Sequence, residues 1–348
     1  MARNRTERGS AGSAVNPKKP MKQKAVISTL ILLTFGHVAA VVAQTDEVKL
    51  DSSQTKITTV SAMRVRKSPQ VTGEEIARMK LGTIVNAIAR STTQDTIGGK
   101  TDYWYRINLP NGDTGWLFGG LLFDYTASQR QQLLRQIIDG RLKVENTDFA
   151  DRQEIYSLAA SSLTEAKDTG TRAELELLKT LAVANSALAF PYEQKNKSPY
   201  REWLKAHGPE VVYNEFAGGY QLRSDVLWNL ETKYHNLPIA DRIAWEASQT
   251  FPPSDCEGDE VCHVFICEGE ISYLSLHPTG AHAAEALKNI ADVLTEEVIK
   301  FANDKGGDKY AVEQRTDLKK LLTSLRLALA KTAAPEKNDV LIKLNQIH

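Results

Sequence analysis

The chain has 348 residues, 42% hydrophobic and 25% charged, a balance that suits about two globular domains and excludes a disordered polyelectrolyte or a polytopic membrane protein. Forty-three basic residues match 43 acidic ones, so no overall basic field is available to grip nucleic acid. The charge is uneven: residues 1–24 hold seven Lys or Arg and one acid, Glu7, which leaves residues 25–348 acidic overall.

Residues 25–43 (AVISTLILLTFGHVAAVVA) carry no charged side chain and follow Lys18, Lys19, Lys22 and Lys24. A basic stretch, an apolar stretch and small residues at Val41 and Ala43 have the form of an export signal cleaved after Ala43. Met21 would open a compact version of it. The alternative is an uncleaved anchor, since 19 mostly apolar residues approach the ~20 needed to span a bilayer. Either way residues 44–348 are expected outside the cytoplasm, periplasmic or extracellular, with the membrane contacted only through an uncleaved signal. Residues 44–56 are polar and aperiodic and are expected to be a linker.

Residues 57–125 contain short β-branched and aromatic runs (ITTV, TIVNAIA, WYRINL, GWLF) separated by turn formers. Asn111-Gly112-Asp113 predicts a hairpin turn, because Asn and Gly tolerate positive φ. Three pieces follow in order: MRVRKSP at 63–69, KLGTIV at 80–85 and WYRINLPNGDTGWL at 104–117. In order and spacing this segment resembles a bacterial SH3 (SH3b) domain. It departs in having Ser68 before the proline and a longer loop at 91–101, with Gly98-Gly99 at its tip.

The resemblance implies a small SH3-like β-barrel that binds and does not catalyse, with cell-wall peptide or an envelope protein as partner. Flat rings give such a surface contact area at low entropic cost. Tyr103, Trp104, Tyr105, Trp116 and Phe118 are the candidate contacts. Neighbours on a strand face opposite ways, so Trp104 and Tyr105 cannot share one buried face, and Trp116 and Leu117 also split. Arg64 and Arg66 flank Val65 on the solvent side and could meet a carboxylate.

From Ser128 the apolar period becomes three to four: Leu133, Leu134, Ile137 and Ile138; Leu175, Leu178 and Leu181; Leu287, Ile290, Leu294 and Val298; Leu318, Leu321, Leu322 and Leu325. Ser128 with Gln131 and Thr171 with Glu174 fit capping boxes, and Gly140, Pro191, Gly208-Pro209 and Gly306-Gly307 are the expected stops. The expectation for 126–348 is an all-α domain of roughly eight to ten helices. YLSLHPTGAHAAEAL at 273–287 is similar to the helix junction of TPR-like repeats, with Thr279 a candidate cap, yet no clean repeat recurs. An irregular array is the rival. Residues 198–250 hold three of the five Trp; they predict a packed core, or a recognition groove bent at Gly218-Gly219.

Cys256, Cys262 and Cys267 fall within twelve positions. In an exported protein this favours a disulfide, Cys256–Cys262 before Cys256–Cys267, with the third thiol buried or paired between molecules. His263, His277 and His282 lie near, but the spacings match no zinc pattern, and no metal or other cofactor is expected. No catalytic motif is present. The reading is an exported envelope binding protein whose helical domain holds a second protein. The alternative is a cell-wall hydrolase that uses carboxylates among Glu257, Asp259, Glu260, Glu268 and Glu270.

Overall fold

The computed structural model describes residues 47–145, 147–250, 256 and 259–348. The expected signal at 1–43 lies outside the described residues. Among the described residues no helix is long and apolar enough to cross a membrane.

Seven strands form one antiparallel sheet: β1 (Glu47–Thr58), β2 (Met63–Arg66), β3 (Glu75–Met79), β4 (Ile84–Ile97), β5 (Lys100–Asn108), β6 (Thr114–Phe118) and β7 (Leu122–Asp124), in the order β3-β2-β6-β5-β4-β1-β7. Residues from both ends of that order meet in one core: Val65, Ala77 and Met79 from one side, Leu122 from the other, around Val85, Ile107 and Leu117. The sheet is therefore rolled. Its opposite face carries Trp104, Trp116 and Phe118. The alternation read from the sequence holds: Leu117 faces the inner core and Trp116 the outer cluster. The turn at Asn111-Gly112-Asp113 is present, with Gly112 at φ 88° and the Leu109 amide bonded to the Asp113 carbonyl at 2.8 Å.

Two polar stretches read as loop are strand. Residues 47–56 belong to β1, which pairs with β4 through an irregular register, so no linker begins the described chain. Its polar residues belong there because Val48 to Gln54 lie along the rim, half or fully exposed, while the core is met only at Ile57. Likewise 91–101 continues β4 and β5 as a hairpin, closed by Gly98 and Gly99 at φ 57° and 77°. Two consecutive positive-φ residues match the right-handed twist of the strands.

Twelve α-helices follow among the described residues: α1 (Arg130–Leu142), α2 (Phe149–Thr164), α3 (Thr169–Leu188), α4 (Tyr200–His207), α5 (Ser224–Tyr234), α6 (Ala240–Ser248), α7 (Glu260–Ile266), α8 (Glu268–Leu276), α9 (Ala283–Val293), α10 (Glu296–Asn303), α11 (Lys309–Leu329) and α12 (Lys337–Leu344). Their lengths run from 7 to 21 residues, so the array is irregular. It is not purely α. Val211–Asn214 (β8) and Gly219–Leu222 (β9) pair as a hairpin, and Gly218-Gly219 makes its turn instead of bending a helix.

The helix starts differ in detail from the expected caps. Asp168 caps α3 by accepting the Thr171 amide at 2.8 Å, three residues ahead of the expected Thr171 cap. A 3-10 turn carries the chain into α1, and Ser128 donates no cap. Gly140 sits inside α1, exposed and with open space around it, where a glycine costs helix stability without stopping the helix. Leu294 and Val298 fall either side of a break capped by Thr295, yet both remain buried. Thr279 does not cap α9. The Tyr273 hydroxyl instead donates to Asp241 Oδ1 at 2.7 Å and accepts the His282 amide at 3.0 Å, while Asp241 Oδ2 accepts the Ala281 amide. That latch fixes the junction the sequence marked by its proline.

Barrel and helices share a core. Ile57, Leu81, Phe123 and Tyr125 pack with Leu134, Ile137 and Ile138 of α1, Ile155 of α2 and Leu175 and Leu178 of α3. The Leu81 amide donates to Glu154 Oε2 at 3.0 Å.

Candidate functional site

The outer face of the sheet forms a groove of about 310 Å³. Its floor is apolar: Trp104 and Phe118 meet edge to face at 5.7 Å, with Ile97 and Leu121 beside them. β5 and β6 place these rings together because Trp104 and Phe118 are directly paired across the strands. The indole N–H of Trp104 donates to Asp95 Oδ2 at 2.6 Å, so the hairpin extension of β4 and β5 holds the ring in the groove wall. Arg64 and Arg66 stand along one side.

Four of the seven expected contact residues, Trp104, Phe118, Arg64 and Arg66, come together in this groove. The two arginines do different work. Arg66 Nη1 donates to the Gly73 carbonyl at 2.8 Å and ties down the segment after Pro69. Arg64, with a side chain 59% exposed, makes one ion pair, Nε to Glu75 Oε2 at 3.3 Å. Glu75 is also bonded by Arg78, and the two guanidinium groups, Arg78 foremost, hold its carboxyl below the usual range. Arg64 is thus the cation a ligand carboxylate would reach.

The other three lie elsewhere. Trp116 is buried in the cluster behind the rings. Tyr103 lies under Arg90, whose guanidinium is 4.0 Å from the ring centre, and Tyr105 under Lys56 at 4.4 Å. Both tyrosines are occupied by a cation of the chain itself.

Sequence reasoning missed Val71 and Ser61. Val71 is 51% exposed at the groove's edge, and the buried Ser61 hydroxyl has no hydrogen-bond partner among the described residues. Val71 could have been found as an apolar residue in a Ser, Gln and Gly loop. Ser61 gives no signal without coordinates.

The aromatics of the helical part are mostly core, as expected: Trp203 and Tyr234 are buried, Phe149 and Phe190 pack on Trp203, and Tyr200 packs on those two rings. Phe216, at the β8–β9 tip, is 65% exposed. Phe251 and Glu257 lie outside the described residues.

Cys256 and Cys262 form a disulfide, the pairing favoured from the spacing. Cys267 is a free, buried thiol. Burial, reinforced by Glu270, pushes it up to about 12, so it is protonated at neutral pH and lacks the thiolate a nucleophile needs. His277 meets Glu231, and His282 stacks on Trp245 at 4.4 Å. Among the described residues no three His, Cys, Asp or Glu side chains gather as a metal site. Of the carboxylates considered for hydrolysis, Asp259 caps α7 and Glu270 is buried. Glu268 remains on an exposed face of α8.

Among curated proteins and among solved structures, nothing matches the chain. Residues 61–123, from the turn before β2 into β7, match the family described as the bacterial SH3 domain, and that segment of the chain is such a domain.

Proposed function

We propose that the chain is a non-catalytic binding protein of a bacterial envelope, and that the groove of its SH3 domain takes a carboxylate-bearing peptide of the cell wall or of an envelope protein. One observation carries the reading: an apolar groove, with Trp104 and Phe118 buried beneath its floor and Val71 exposed at its edge, stands beside the exposed guanidinium of Arg64. An extended peptide can lay apolar groups in the groove against Val71 while a carboxylate meets the cation in a charge-assisted bond. Export through residues 1–43 would bring the groove to such ligands. The placement of the carboxylates favours binding over hydrolysis, since Asp259 is spent on a helix cap and Glu270 lies in the helical core.

The test is co-sedimentation of the chain lacking residues 1–43 with purified peptidoglycan. The expected result is a pellet of the native protein and no soluble fragments released. Arg64→Ala and Val71→Asp change exposed groove residues and leave the buried rings in place. Each is expected to weaken binding about tenfold, the order of one lost charge-assisted contact. Equal pelleting of both variants would remove the groove as the binding site, and released fragments would make the protein a hydrolase.

A further inference from the structure

The helical part contains a second concave site, unrelated to the SH3 groove. α5 and α8 both pack on α6. Between them lies a cleft of about 560 Å³. α5 presents Trp228, Glu231 and Thr232 to it, three or four residues apart and so on one stripe; α8 presents Glu268 and Ser272, also four apart. Gly269 allows this approach, since a side chain there would meet the Ser248 backbone of α6 at 2.5 Å.

The chemistry of the lining is one-sided. Two carboxylates, Glu231 and Glu268, two aromatic residues, Trp228 and Phe265, and several hydroxyls line the cleft; among the described residues no Lys or Arg does. Glu231 is unusual: only 5% exposed, with His277 Nε2 at 3.3 Å as its one hydrogen-bond partner among the described residues. A carboxylate kept in a largely buried position with so little compensation costs stability unless something else meets it. Glu268 sits on the open side of the same cleft with no ion pair among the described residues. A buried acid, an exposed acid and flat aromatic faces form the environment that a compact organic cation prefers, because carboxylates accept its N–H bonds and rings attract it through their quadrupoles.

We propose that this cleft binds an aliphatic ammonium group, with Glu231 and Glu268 accepting its N–H bonds and Trp228 and Phe265 enclosing its methylene chain. Two sources carry that chemistry: a free diamine, or the side-chain amine of a peptide. Titration calorimetry of the whole chain distinguishes them, using cadaverine in one arm and a short lysine-containing peptide in the other. The diol of cadaverine's length and the Nε-acetylated peptide are the uncharged controls. Saturable binding of either amine, absent with its control and weakened about tenfold or more by Glu268→Gln, is the expected result. Glu268 is exposed, so this substitution reads the site without endangering the fold. Glu231→Gln, with its melting temperature measured alongside, should add a further loss. Absence of saturable binding by both amines, or binding that Glu268→Gln and Glu231→Gln leave unchanged, would overturn the assignment. So would equal binding of the uncharged controls.

Discussion

Glu270 lies on α8 two residues beyond Glu268, and the difference between them is the helical rotation. Glu268 faces solvent, whereas Glu270 turns inward, 5% exposed, with Asn289 Nδ2 3.4 Å from Oε1 and no partner among the described residues for the buried Oε2. Burial raises its carboxyl above the usual range. Between the unfolded carboxyl's value near ~4.3 and the higher folded one, the folded chain retains a proton that the unfolded chain has released. The contribution to stability is therefore complete below the unfolded value and is lost as pH rises through that window. Glu270→Gln should be more stable than the native chain at pH 7 by about 1–3 kcal/mol, the cost of an unsatisfied buried charge-bearing group, and the gain should vanish near pH 4. Denaturant unfolding of both proteins from pH 4 to 8 measures this. A difference that stays constant across the range would mean the carboxyl is not the cause. In the sequence Glu270 is one of five neighbouring carboxylates, with nothing to mark it as the buried one. Composition cannot show it, because α6 and α11, which cover α8 together with its neighbour α9, come from separate stretches of chain.

At the scale of elements, the readable parts were those where period and burial agree. The amphipathic stripe of α11, with Leu318, Leu322 and Leu325 buried, and the alternation of β2, with Met63 and Val65 buried between the outward Arg64 and Arg66, are cases of local pattern matching the final environment. The misread parts are strands whose two sides both meet solvent. β1 and the outer halves of β4 and β5 carry Thr, Ser, Gln and Asp on both faces, so they lack the alternation that marks a half-buried strand. The β8–β9 hairpin is short enough that four residues a side give no period at all. The β4–β5 extension nevertheless has a firm requirement at its tip. Gly98 is at φ 57°, with nothing within 4 Å of where a side chain would go. Gly98→Ala should thus cost about 1 kcal/mol from backbone conformation alone, and Gly98→Asn less, since Asn tolerates the left-handed region. Since Asp95 on this extension accepts the Trp104 indole N–H, Asp95→Ala should reach the groove as well. It strips a nearly buried N–H of its partner, costs about 1–3 kcal/mol, and should weaken peptidoglycan pelleting. Unchanged pelleting with intact folding would separate the extension from the binding surface.

At the scale of the whole molecule, sequence motifs located the SH3 domain but could not show that it is fused to the helices. Motif spacing reports contacts within a segment; the shared core depends on Leu81 and Ile57 meeting residues 50 to 120 positions onward. Gly82 marks how close the two parts come. It adopts φ 73°, and a side chain there would strike Leu158 of α2 at 2.6 Å. None of the groove-lining residues belongs to this shared core, so the helices brace the domain from behind and leave the groove open. The consequence is thermodynamic. Removing the helices would expose Ile57 and Leu81, both buried in the intact chain, and deprive the small domain of part of its apolar contact surface. Leu81→Ala should therefore cost about 2–5 kcal/mol and loosen both sides of the contact. Hydrogen exchange is the measurement that tells coupling from independence. The expected outcome is faster exchange in β4 and β5 of the sheet and in α2 together, by similar factors. If Leu81→Ala accelerates the strands and leaves α2 at its native rate, the domain folds on its own and the contact is only a docking surface. A coupled response would mean that a ligand bound in the groove stabilises α1 to α3 as well, since whatever binds the folded state alone raises the cost of opening every element that unfolds with it.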